Sequence, residues 1–175
     1  MGTKQFIGYH GTCSENIVKI KENNFKPSDW GWTGPGVYFF ENNNELAAEW
    51  AEYSYPDKEI CVLERLINVD DNKILDISTP NTGHNIKIQE TRKRFLEKAI
   101  KEGRKIKDSD EKIDSKIINM VATIGRFDVV RNFTYTYIPA DRALGKERKR
   151  RPLRSNVPNG IELCVRNLKC IHHKK

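Results

Sequence analysis

The sequence predicts an α+β fold on three observations. Short apolar runs with strand character stand toward both ends of the chain, two long stretches of helical periodicity occupy its middle, and 175 residues suffice for one core but hardly for two. Charged residues make up 31% and mean hydropathy is −0.71, yet large apolar side chains recur throughout, as in a very polar globular domain rather than a disordered chain. A single domain over 1–175 is expected.

Gln5-Phe6-Ile7-Gly8-Tyr9 reads as a short strand running into His10, and Ser14 opens a helix with Ile17 and Ile20 on its buried side. Phe25 to Pro35 is a loop, and Gly34-Pro35-Gly36 turns it into a strand, Val37–Phe40. Asn42, Asn43 and Asn44 offer an N-cap for a helix from about Glu45 to Tyr55. Strands follow over Glu59–Val69 and Lys73–Ile77. Residues 86–102 and 110–124 are expected as helices, the first burying Phe95, Leu96, Ala99 and Ile100, the second Ile113, Ile117, Ile118 and Val121. Val129-Val130 and Thr134–Tyr137 return to strand character, Pro139 to Pro158 is a long basic loop, and Glu162–Val165 is the last strand.

Cys13, Cys61, Cys164 and Cys170 are scattered with no Cys-x-x-Cys pair, and the first residues hold no apolar signal core, so a reduced, cytoplasmic setting is expected. No apolar run approaches the roughly 20 residues of a spanning helix, which argues against a membrane. Cys164, Cys170, His172 and His173 are better read as buried thiols beside terminal histidines than as a zinc site, and no metal is expected. Gly31 to Gly36 has the wrong spacing for a dinucleotide fingerprint.

The informative constellation is Tyr9-His10-Gly11-Thr12, then Gly36-Val37-Tyr38-Phe39, then Glu45–Ala51 carrying Trp50, then Glu162 on a late strand. In order and spacing it resembles the ADP-ribosyltransferase superfamily, in its His-Tyr-Glu branch. It is similar to the catalytic domains of poly(ADP-ribose) polymerases and diphtheria toxin, and more closely to small bacterial toxin-like transferases. The resemblance runs from about residue 5 to 171, with the helices at 85–125 outside any motif. It implies two packed, mainly antiparallel sheets forming an NAD cleft, flanked by helices, with a central helical insertion. NAD is then a co-substrate, cleaved to nicotinamide as ADP-ribose passes to a macromolecule.

Under that resemblance Glu162, His10 and Tyr38 are catalytic, and His10, Gly11, Thr12, Ser28, Gly36, Tyr38 and Trp50 bind NAD. His10 would hydrogen-bond a ribose hydroxyl, and Gly11 would let its backbone lie against the carboxamide. Tyr38 and Trp50 would wall the nicotinamide ring, a cation between aromatic faces. Glu162 would stabilise an oxocarbenium-like transition state; Glu147 and Asp128 are the fallback carboxylates. The Ser that holds the carboxamide in polymerase-like members aligns with Ala47, which leaves a weaker grip or a substitute in Thr12 or Ser28, and argues against chain elongation.

Residues 142–154 hold seven basic side chains against one acid, a net +6 out of +7 for the chain. The resemblance places this segment beside the acceptor, with Arg148, Lys149, Arg150 and Arg151 as the acceptor-binding set. Its charge suits nucleic acid, RNA or DNA, or an acidic antitoxin-like inhibitor. A protein acceptor, NAD glycohydrolase activity and a catalytically silent nucleic-acid or ADP-ribose binding module are the competing readings. A toxin–antitoxin or phage-defence setting is implied only by the likeness to small bacterial transferases.

Overall fold

The computed structural model describes residues 2–147 and 152–173. Seven strands form one mixed sheet in the order β4-β5-β6-β2-β1-β3-β7: β1 Thr3–Cys13, β2 Val37–Glu41, β3 Ile60–Asp70, β4 Ile74–Asp76, β5 Val129–Thr134, β6 Gly160–Val165 and β7 Ile171–His172. Five helices accompany them: α1 Ser14–Asn23, α2 Asn44–Ser54, α3 Gly83–Lys101, α4 Asp110–Ile124 and α5 Pro139–Glu147. Among the described residues only β4 and β5 pair in parallel. Parallel neighbours need a long crossover, and α3 and α4 are that crossover.

The expected pair of packed sheets is therefore corrected to one continuous sheet. Its middle seam is thin, however. β1 pairs with β3 along its whole length, from Thr3↔Asp70 to Cys13↔Ile60, but meets β2 only at Gly8↔Glu41 and Tyr9↔Phe40. Beyond Tyr9 the two strands diverge into a fork.

Strand alternation sorts the core onto two faces. Phe6, Val37, Phe39, Ile67, Val129, Leu163 and Val165 share one face, covered by Phe25 and by Ile20 of α1. Leu75, Val130 and Cys164 point the other way, under Ile88 of α3 and Ile113, Ile117, Ile118 and Val121 of α4. Phe40 lies on that second face beneath Leu46 and Ala47 of α2. Side-chain oxygens of Asn43, Thr82 and Ser109 cap α2, α3 and α4 by accepting from Leu46, Asn85 and Lys112 backbone N–H.

Several expectations at element scale need correction. Residues 139–147 are helical, not loop. The strand ends at Thr134 rather than Tyr137, because the Asn159 amide pairs with both the N–H and the C=O of Thr136 in place of a neighbouring strand. On α3, Ile88 and Ala99 are buried, whereas Ile100 is 79% exposed. A short strand, β7, follows β6.

Candidate functional site

Glu162 sits in the middle of β6, opposite Phe40 on β2 and Asn132 on β5. Phe40 in turn faces Tyr9, so Tyr9, Phe40, Glu162 and Asn132 form one row across the helix-covered face. Glu162 is 7% exposed, and among the described residues no hydrogen bond or ion pair reaches its carboxylate. Burial alone pushes its pKa up to about 7. It opens onto a cavity of about 380 Å³ between β5–β6 and the helices α3 and α4, whose wall includes Trp32, Asn132, Tyr135 and Arg154.

His10 is next to Tyr9 in sequence and therefore faces the other way. Its ring packs against Phe25 and Phe39, at centroid distances of 5.2 and 5.6 Å. Its Nδ1–H donates to the Tyr38 carbonyl at 2.8 Å, a carbonyl at the mouth of the fork where β1 and β2 part. Burial, then the nearby Arg65, hold the imidazole below its ordinary pKa against the opposing pull of the Tyr38 bond. His10 is thus a neutral ring with its Nδ1 proton committed to the backbone.

Tyr38 shares a face with Glu162 but pairs with Cys164, one step further along. Its hydroxyl donates to the Gly34 carbonyl and accepts from the Thr33 N–H at 3.2 Å. The ring lies over Gly31, where an added Cβ would fall 2.1 Å from the hydroxyl oxygen. Tyr38 clamps the 31–34 loop instead of presenting an open stacking wall. Trp50 packs with Tyr9, Phe40 and Ala47, a cluster separate from that of Tyr38.

The remaining residues of the expected NAD-binding set have structural partners. Gly11 lies flat against α2, with space for a Cβ taken by the Ala47 carbonyl oxygen 2.0 Å away. Thr12 is buried and accepts from the Asn16 amide. Ser28 and Gly36 exchange backbone hydrogen bonds that close the loop between them, and the Ser28 hydroxyl adds a third at 3.0 Å. A Cβ on Gly36 would sit 2.5 Å from Cys164 Sγ.

Of the expected set, then, Glu162 faces this cavity, while His10 lies on the opposite face and Tyr38 and Trp50 belong to neighbouring clusters. Glu147 and Asp128, the fallback carboxylates, do not line it. Arg148, Lys149, Arg150 and Arg151 lie outside the described residues. Sequence reasoning missed Trp32, Asn132, Tyr135 and Arg154. Asn132 alone had a legible signal, since strand alternation puts it on the face of Val130.

No known protein family, curated protein or solved structure matches this chain.

A second, wider cleft on the other face contains Glu41 and Arg131. Arg131 donates to Glu41 at 2.7 Å and to Asp76 at 3.0 Å, so both carboxylates are neutralised by a cation and neither is poised as Glu162 is. No helix among the described residues is long and apolar enough to cross a membrane.

Proposed function

We propose that the chain is an NAD-dependent mono-ADP-ribosyltransferase in which Glu162 is the catalytic carboxylate. The observation that carries this reading is a buried carboxyl with no hydrogen-bond or ion-pair partner among the described residues, facing a cavity whose other walls mix aromatic, amide and aliphatic side chains with Glu111, Asp114 and Arg154. Such a group is costly to keep unless a ligand uses it. A cavity of about 380 Å³ lies at the small end of ligand sites, roughly 300–1,000 Å³, and suits the nicotinamide riboside end of a dinucleotide better than the whole.

As the bond between C1′ and the pyridinium nitrogen breaks, its electron pair goes to the ring, which leaves as neutral nicotinamide. Positive charge is left on the ribose. Glu162, ionised, stabilises that charge and accepts a hydrogen bond from the 2′-hydroxyl. The acceptor's lone pair then closes on C1′, and its proton passes to the carboxylate or to solvent. His10 and Tyr38 are positioning residues in this account, the first holding the fork between β1 and β2, the second clamping the 31–34 loop whose Trp32 borders the cavity.

The test is nicotinamide release and label transfer from labelled NAD in a cell extract. Glu162→Gln should lose on the order of 100-fold or more in rate with the fold intact. Full activity in that variant assigns the chemistry elsewhere. Free ADP-ribose without labelled macromolecule makes the enzyme a glycohydrolase, and no nicotinamide release from any mixture overturns the reading.

A further inference from the structure

We infer that Trp32 and Trp30 form a stacking platform for an unpaired base of a single-stranded polynucleotide at the mouth of the Glu162 cavity, an inference that names the acceptor class for the transferase reading above and rests on it. Both indoles are largely in water, at 43% and 53% exposure, with ring centroids 6.4 Å apart. Trp32 is also part of the wall of the cavity that Glu162 faces.

The loop that carries them is fixed from beneath. The buried Ser115 hydroxyl of α4 donates to the Gly31 carbonyl at 2.6 Å. Tyr38 donates to the Gly34 carbonyl and accepts from the Thr33 N–H. Gly31, Thr33 and Gly34 are all buried, while Trp32 between them points out. Immobilised backbone beneath exposed indoles is the arrangement expected of a recognition surface, because the ordering cost is met before the ligand arrives.

Charge selects the occupant. The Arg154 guanidinium stands 5.8 Å from the Trp32 ring centroid, within the stretch that holds almost all of the chain's excess positive charge. Two acids of the cavity wall are already paired, Glu111 with Arg154 at 3.6 Å and Asp114 with Arg92. An aromatic face beside a guanidinium fits a base and its flanking phosphate. A duplex, whose bases are stacked on one another, offers no free face for the indoles.

Binding is measured without NAD, by anisotropy of end-labelled mixed-sequence single-stranded RNA and single-stranded DNA, against the matching duplexes, at fixed salt. The single strands should bind more tightly than the duplexes. Trp32→Ala should weaken them on the order of tenfold without changing the salt slope, and Trp32→Phe should restore most of the loss. Arg154→Ala should lower the salt slope by about one. Thermal unfolding checks that each variant is folded. Unchanged binding by Trp32→Ala, equal binding of duplex and single strand, or no binding of any oligonucleotide overturns the platform, the last leaving a protein acceptor. Trp32-dependent binding by a chain that releases no nicotinamide would instead sink the transferase reading and leave the platform standing.

Discussion

At the scale of single residues, Glu162 makes a prediction that needs no substrate. A buried carboxyl raised from its ordinary value near 4.5 to about 7 penalises the folded, ionised state by roughly 3 kcal/mol. The unfolded chain ionises first, so this penalty is absent below pH 4.5, grows as pH rises through the window from 4.5 to 7, and is complete above it. Glu162→Gln should therefore raise the melting temperature at pH 8 and leave it unchanged near pH 4.5. A rise of the same size at both pH values would mean that burial of the charge is not the cause. If the ionised form is the catalyst, nicotinamide release by the wild type should increase across pH 6–8. His10 offers a second test. His10→Ala leaves the Tyr38 carbonyl without its imidazole partner, an expected loss of about 1–3 kcal/mol by denaturant unfolding, with His10→Asn recovering part of it.

Both residues show how far the sequence could be read. The late strand and its carboxylate were visible because apolar residues flank Glu162 on either side. That His10 points away from Glu162 was not visible, since it follows from the pairing of Tyr9 with Phe40 and Phe40 with Glu162, contacts between segments far apart in the chain.

At the scale of elements, the helix-covered face is where sequence pattern served best. The α4 residues expected to be buried, Ile113, Ile117, Ile118 and Val121, are all in the core. The α3 stripe departs from the pattern at Ile100 because the buried line of the helix runs through Ile88 and Ala99. α5 is not legible in the sequence because Pro139 and Gly145 read as loop residues and four of its nine side chains are charged.

Two packing contacts between elements give sharp outcomes. Gly11→Ala would drive a methyl into the α2 backbone at Ala47, separating β1 from α2 at a cost of about 1–3 kcal/mol, measurable by urea unfolding. Arg131 bonds to Glu41 of β2 and Asp76 of β4 from its place on β5. Arg131→Met leaves two part-buried carboxylates without a cation, for an expected loss of about 3 kcal/mol. That loss should shrink in acid as the carboxylates protonate, which distinguishes it from a packing defect.

At the scale of the whole molecule, the cysteines report on compactness. Cys13, Cys164 and Cys170 are buried, and only Cys61 is partly open. Burial also pushes the Cys164 and Cys170 thiols up to about 11, which suppresses the reactive thiolate. A thiol reagent at neutral pH should label Cys61 first and the other three on the timescale of unfolding. Fast labelling of Cys164 would show that the core under α4 is open in solution.

The join between β1 and β2 gives the molecule a mechanical character of its own. Eleven rungs bind β1 to β3, but two bind it to β2, so the domain is two stiff plates sharing a short spine, with the His10 ring wedged where they part. Amide exchange should distinguish the plates from the spine. Anything that prises the ring from the Tyr38 carbonyl would let the plates swing, and would carry the clamped tryptophan loop along with the second plate.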